Sequence, residues 1–153
     1  MDISTLWIFF AVFLAAFVRS FAGFGFALLL VPALLMKLSP QVVVPLIILL
    51  DLPISLILWP KIRNDVDWGS LKWILPFALF GVLPGLLILE KIPPAPLKIA
   101  IAIFALLFTL VLASGFRLTK QPNVFISSLA GTLSGFLGAS TGIAGPPVIF
   151  FIL

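Results

Sequence analysis

Apolar residues in this chain are gathered into five long stretches, which short polar segments separate. A helix needs roughly 20 apolar residues, within a range of about 17–25, to cross the hydrocarbon core of a bilayer. The second, third and fourth stretches approach that length once their flanking residues are included, so each predicts one membrane-spanning helix. The pattern therefore predicts an all-α, polytopic helical membrane protein. The five stretches cover residues 6–36, 42–59, 71–89, 99–114 and 124–153.

The first stretch does not fit a single straight span. It is too long for one crossing and too short for two comfortable ones. Arg19 and Ser20 interrupt it, and Gly23 and Gly25 follow closely. Two interpretations stay open: one broken, tilted helix, or a short hairpin that turns at residues 23–25.

Proline residues lie in and beside the polar segments between the stretches. Proline lacks a backbone N–H and cannot continue a helix, so these residues predict loops. They are Pro40, Pro60, Pro93, Pro94, Pro96 and Pro122.

The composition supports a membrane protein and excludes several other classes. The chain is 63% hydrophobic and 9% charged, and its mean hydropathy is +1.36. Ordinary soluble domains are about 25% charged. A net charge of +4 in such a chain does not indicate nucleic-acid binding. The lipid bilayer is the expected partner.

The chain also lacks the residues of common catalytic and metal sites. It contains no cysteine and no histidine, which removes thiolate chemistry and the commonest metal ligand. The sequence has no phosphate-binding GxxxxGK[ST] motif and nothing that resembles a hydrolytic triad or a metal cluster. We therefore expect no enzyme activity, no metal and no cofactor.

A glycine-rich break occurs twice inside apolar sequence. The first is Phe21-Ala22-Gly23-Phe24-Gly25, and the second extends from Phe136-Leu137-Gly138 to Thr141-Gly142-Ile143-Ala144-Gly145. In lipid, a chain leaves the helix only where the freed polar groups face protein or a wet cavity. Two such breaks at corresponding positions of two repeats indicate a transport site.

Helices that start after such breaks would direct free N–H groups and a positive dipole end at an anion. Pro146 and Pro147 suit the start of the second such helix, and Ser134 and Ser140 add hydroxyl groups. Close helix packing by small residues is the competing interpretation. The predicted substrate-binding residues are Arg19, Ser20, Gly23, Gly25, Gly138, Thr141, Gly142 and Gly145.

Two charged residues lie inside apolar sequence. Arg19 offers a fork of donors that suits an oxyanion, although it could also mark an interfacial turn. Asp51 stands between Pro45 and Pro53. It is the predicted coupling site for a proton or cation, and it could instead neutralise Arg19 or cap a broken helix. The carboxylates of the polar segments, among them Asp67, are expected to be solvated charges.

Two further glycine pairs predict packing and not chemistry. Gly81 and Gly85, and likewise Gly131 and Gly135, have the GxxxG spacing. This spacing lets helix backbones approach closely in membranes.

These motifs give the chain a resemblance to the sulfite exporter TauE/SafE family of bacterial membrane transporters. Phe21-x-Gly23-x-Gly25 with Pro32 downstream carries it in the first half. The more specific motif runs from Ser134 through Gly138 and Thr141-Gly142 to Gly145-Pro146-Pro147. The resemblance implies two similar halves of about four membrane segments each in the bacterial inner membrane. It also implies secondary transport of a small anion such as sulfite or an organosulfonate.

On this basis the chain comprises a first transmembrane repeat, residues 1–123, and the start of a second, residues 124–153. Four crossings between equivalent points make the repeats parallel. The chain is then expected to end early in its second repeat. The competing hypotheses are a non-transporting membrane scaffold, a passive channel, and a half-transporter that completes its pore as a homodimer.

Lysine and arginine predict the orientation. The segments at 61–72 and 116–123 share one side of the membrane and hold five such residues, whereas the opposite side holds three. An excess of Lys and Arg marks the cytoplasmic side. The five are Lys61, Arg63, Lys72, Arg117 and Lys120; the three are Lys37, Lys91 and Lys98.

Overall fold

The computed structural model describes residues 3–22, 25–64, 66–114 and 123–145. Every regular element within these residues is an α-helix, which confirms the all-α prediction. Four of the described helices are long and apolar enough to cross a membrane: α3, α4, α5 and α6. The helices are α1 (Ile3–Ala22), α2 (Phe26–Leu35), α3 (Pro40–Ile62), α4 (Trp68–Lys91), α5 (Pro94–Ala113) and α6 (Val124–Thr141).

The first apolar stretch forms two helices, α1 and α2, which contact each other. The chain is not helical at Gly25, as the glycine break predicts, because this residue precedes α2 with a left-handed φ of 95°. An L side chain rarely adopts that conformation, whereas glycine does so without strain. The structure therefore excludes a continuous helix through residues 6–36.

The helices extend further than the apolar stretches predicted. Helix α3 begins at Pro40 and continues through Pro60 into its last turn, and α5 begins at Pro94. The prediction of loops is therefore wrong for Pro40, Pro60, Pro94 and Pro96, whereas Pro93 lies outside the helices as predicted. The first turn of a helix has no intrahelical partner for its N–H groups, so Pro40, Pro94 and Pro96 lose no hydrogen bond there.

Helix α2 belongs to an apolar core cluster of the described residues. Five of its ten residues are buried, and it contacts α1, α3 and α5. Ala11 and Ala15, one turn apart on α1, belong to the same cluster. Surrounding protein therefore covers one face of α2, and contact with protein is the setting in which a broken helix is tolerated at membrane depth. The members from α2 are Phe26, Leu30, Val31, Leu34 and Leu35.

Helices α4 and α6 form the most extensive helix pair of the described residues, and their glycines make it possible. A Cβ added to Gly85 would lie 2.5 Å from the Phe136 carbonyl oxygen and 2.8 Å from the Ala139 Cβ. A Cβ on Gly135 would collide with the backbone of Ala78. The backbones are thus in direct contact, which confirms the packing role predicted for both GxxxG pairs.

Gln41 links the start of α3 to the end of α4. Its side-chain amide donates a hydrogen bond to the Leu89 carbonyl oxygen at 3.1 Å and a longer one to that of Ile92 at 3.5 Å. The carbonyls at a helix C-terminus lack intrahelical partners. Gln41 therefore satisfies groups that would otherwise be unpaired beside an apolar helix.

Asp67 caps α4, a role that the sequence analysis missed. Its carboxylate accepts hydrogen bonds from the Gly69 N–H at 2.9 Å and the Ser70 hydroxyl at 2.6 Å. These bonds, the one from Ser70 foremost, hold the pKa of Asp67 below its ordinary value of about 3.8. Asp67 is exposed to solvent, as predicted, and it caps the helix in addition.

Substitution of Gly135 by alanine tests the α4–α6 contact, because the contact determines whether the variant is less or more stable than the wild type. In an isolated helix, alanine is more favourable than glycine. Here the added methyl group meets backbone that cannot move aside, so we expect Gly135→Ala to destabilise the fold by about 1–3 kcal/mol. The measurement is thermal or denaturant unfolding in mild detergent. Ala102→Leu, which adds more volume on an exposed face of α5, is the control and should have little effect. A stabilised Gly135→Ala variant would contradict the close contact.

Because a carboxylate caps α4, the stability of the fold should depend on pH in the acidic range. Because the folded-state pKa of Asp67 is lowered, its stabilising contribution is complete above about pH 3.8 and is lost as the pH falls through the folded-state value. We expect the difference in unfolding midpoint between the wild type and Asp67→Ala to shrink as the pH is lowered from about 6 to about 3. A difference that stays constant over that range would argue against the charged cap.

Candidate functional site

One cavity of about 1000 Å³ borders both glycine breaks. Its walls come from the end of α1, the start of α2, the middle of α3, one face of α4, and the end of α6 with the residues that follow. Most of the lining is apolar. Among the described residues, the polar and charged side chains that line it are Arg19, Asp51, Ser55 and Ser134.

The two breaks present different helix ends to this cavity. Gly25 precedes α2, which has no side-chain cap at its N-terminus. Gly142 instead ends α6, with a left-handed φ of 77° and its N–H bonded to the Gly138 carbonyl oxygen at 3.0 Å. A Cβ on Gly142 would also lie 3.3 Å from the Val31 Cγ2. The helix expected to start at Pro146 and Pro147 lies outside the described residues.

After Gly142 the chain packs against the last turns of α6. The Ser134 hydroxyl donates a hydrogen bond to the Ala144 carbonyl oxygen, and the Ile143 N–H donates one to the Thr141 hydroxyl at 3.2 Å. Gly138 makes room for this return, because its added Cβ would lie 2.9 Å from the Ala144 Cβ. The backbone freed at the break is thus partly satisfied by α6 itself.

Arg19 and Asp51 form an ion pair on the cavity wall. The Arg19 Nη1 donates to the Asp51 Oδ1, and the Arg19 Nη2 donates to the Ser55 hydroxyl oxygen at 3.1 Å. The Ser55 hydroxyl lies 3.4 Å from the Asp51 Oδ2, to which it donates. The guanidinium carbon also stands 5.9 Å from the centre of the Phe26 ring, within the range of a cation–π contact. Of the alternatives for Asp51, neutralisation of Arg19 is therefore realised.

The pair is only partly covered. The Arg19 side chain is 15% exposed and that of Asp51 is 36% exposed. The Arg19 Nε is buried without a hydrogen-bond partner. Asp51 is thus the more accessible member, whereas Arg19 is held against α3 by two hydrogen bonds.

Most of the predicted site residues meet at this cavity. Arg19, Asp51 and the glycines at 25, 138, 142 and 145 line it. Ser20 does not line it, and its hydroxyl donates to the Ala16 carbonyl oxygen one turn earlier. Thr141 is buried and donates to the Leu137 carbonyl oxygen, and Ser140 bonds the Phe136 carbonyl oxygen in the same manner. Gly23 lies outside the described residues.

Ser55 is the polar contact that the sequence analysis missed. It follows Asp51 by four residues on α3 and so lies on the same face of that helix. This spacing was a usable signal. Arg19, by contrast, is separated from Ser55 by 36 positions, and sequence spacing carries no information about a contact across two helices.

A double-mutant cycle on the ion pair tests its energetic coupling. Each of Arg19→Gln and Asp51→Asn leaves one charge without its partner, so each should destabilise the chain. The double variant leaves no charge unpaired. Its loss of stability should therefore be smaller than the sum of the losses in the two single variants. We expect a coupling energy of about 0.5–3 kcal/mol from unfolding in detergent. Additive losses would show that the two side chains act independently.

The comparisons with known proteins agree with the motifs. The sequence model of the family described as sulfite exporter TauE/SafE matches residues 8–153. Neither the search of curated proteins nor that of solved structures gives a match. Since the family model covers nearly the whole chain, including both glycine breaks, this membrane protein belongs to the sulfite exporter TauE/SafE family.

Proposed function

We propose that this protein is a secondary transporter for a small anion, sulfite or an organosulfonate, in the bacterial inner membrane. Membership in an exporter family supports transport across a membrane. The observation that carries the proposal is that one cavity borders both glycine breaks and is also lined by Arg19 and Asp51. A substrate site between broken helices at membrane depth is typical of secondary transporters.

The start of α2 supports an anionic substrate. The first N–H of this helix to bond back is that of Leu29, to the Gly25 carbonyl oxygen at 3.2 Å. The three preceding N–H groups have no intrahelical acceptor, and their residues, Phe26, Ala27 and Leu28, line the cavity. Free N–H groups and the positive end of the helix dipole favour negative charge.

Arg19 supports an oxyanion in particular. Its guanidinium carries a positive charge and offers planar pairs of donors. A sulfite or sulfonate group presents oxygens that such a fork can bind. In this proposal Arg19 and the start of α2 bind the anion, Gly138, Gly142 and Gly145 shape the opposite wall, and Asp51 is the coupling residue.

The cavity is large enough for a hydrated substrate. Water occupies about 30 Å³ per molecule in the liquid, so a volume of about 1000 Å³ holds a small anion with many waters. An anion would otherwise have to shed its hydration shell against apolar walls. A largely apolar lining with few polar groups suits a site that binds its substrate weakly enough to release it.

Sulfite and methanesulfonate flux in proteoliposomes tests this function. The full-length protein should move one or both anions down an imposed gradient, and empty liposomes should not. Arg19→Gln removes the charged fork and should lower the flux by about tenfold or more. Lys91→Gln, a matched removal of charge at the exposed end of α4, should leave the flux unchanged.

Gly142→Leu tests the second wall in the same assay. A side chain at this left-handed position would meet Val31 and Val44. We therefore expect the flux to fall in Gly142→Leu and to stay at the wild-type value in Lys91→Gln. Equal flux in the wild type, Arg19→Gln and Gly142→Leu would contradict the assigned site. Absence of flux in the wild type would contradict transport of these anions.

A further inference from the structure

In the ion pair, the Asp51 carboxylate accepts a hydrogen bond from the Arg19 guanidinium, which an anionic substrate would also need. Asp51 occupies the Nη1 edge of Arg19, and Ser55 occupies Nη2. Both acceptors are on α3, one turn apart. Under the proposed function, on which this inference rests, an oxyanion that reaches Arg19 shares the one positive charge of the guanidinium with the Asp51 carboxylate.

Charge in the cavity makes the binding of the oxyanion depend on a proton. Among the described lining residues, Arg19 is the only cation and Asp51 the only anion, so their charges cancel. Within the described residues, no titratable side chain of α2, α4, α5 or α6 lines the cavity beside the pair. A monovalent anion that binds Arg19 while Asp51 remains ionised would place two negative charges on one guanidinium, and like charges that share a site are unfavourable. A proton on Asp51 restores neutrality.

We propose that the substrate is a monovalent oxyanion that binds together with one proton. The anion replaces the Asp51 carboxylate on Arg19, and the proton neutralises Asp51. Release reverses both steps, so the anion and the proton move in the same direction. No covalent bond other than the carboxyl O–H forms or breaks.

The surroundings of Asp51 suit this exchange. The carboxylate is the more exposed member of the pair, at 36%, and lines the cavity from which a proton would come. The Ser55 hydroxyl touches both partners and can accept a hydrogen bond from a protonated Asp51 while it remains close to Arg19.

The backbone around Asp51 has fewer constraints than an ordinary helix. Pro45 and Pro53 lie within α3 on either side of it. A proline cannot donate to the carbonyl one turn earlier, so Pro53 leaves the Leu49 carbonyl oxygen without its usual helical partner. Local adjustment at such a place is tolerated where the freed groups face a cavity, and Leu49 and Pro45 both line this one.

Proton uptake on binding is the direct test. Methanesulfonate is the probe, because a sulfonate stays monoanionic at neutral and mildly acidic pH and does not itself take up the proton. Titration calorimetry on the full chain in lipid nanodiscs, repeated in buffers of different ionisation enthalpy, counts the protons. We expect about one proton taken up per anion, with affinity that weakens by about tenfold per pH unit as the pH rises.

Asp51→Asn should separate the anion from the proton. With no carboxylate to displace, methanesulfonate should bind without proton uptake and with little pH dependence, at least as tightly as it binds the wild type at low pH. Glu90→Gln is the matched control, since it makes the same chemical change at an exposed position on α4. This control should take up as many protons per anion as the wild type, and its affinity should depend on pH in the same way.

The outcomes distinguish this inference from the function on which it rests. Methanesulfonate binding to the wild type without proton uptake would overturn the exchange and leave the anion site standing. Proton uptake that persists in Asp51→Asn would overturn the role of Asp51. No binding at any pH would contradict the anion site itself. If Asp51→Asn does not fold, the number of protons that the wild type takes up per anion still tests whether the anion and the proton bind together.

Discussion

The ion pair between Arg19 and Asp51 is the interaction on which the rest of the arrangement depends. An unpaired arginine at the bilayer centre costs at least about 2.5 kcal/mol, so a chain that keeps one inside apolar sequence must supply a partner. Here the partner comes from another helix, 32 positions away, and Ser55 holds both groups. The pair joins α1 to α3 at the level of the glycine break and makes the end of α1 part of the cavity wall.

The remaining helices provide a frame around this pair. Backbone contact at Gly81, Gly85, Gly131 and Gly135 holds α4 against α6, and apolar packing covers one face of α2. Small residues serve this purpose because apolar burial alone drives little association between helices in lipid. The cavity then lies between tightly packed units, and the left-handed glycines before α2 and after α6 let the backbone end its helices at its edge. Packing and function thus use glycine for different physical reasons.

The sequence predicts the spans, the breaks, the close helix contacts and the two intramembrane charges, because each follows from local composition or spacing. It does not predict which of several partners Asp51 takes, since that depends on how α1 packs against α3. Ser20 and Thr141 show a second difficulty. In apolar surroundings a hydroxyl satisfies itself on the carbonyl one turn earlier, as both of these do, so a polar residue beside a break need not line the site.

The central claim is that water reaches the Arg19–Asp51 pair inside the apolar helices. Because the chain has no cysteine, a single Ser55→Cys substitution reports on this place without background, and Leu106→Cys reports on an exposed apolar face of α5. A charged, water-soluble thiol reagent applied to membranes should modify the cysteine at 55 and leave the one at 106 unmodified, although both react after denaturation. Protection of both cysteines until denaturation would contradict a hydrated cavity at the ion pair.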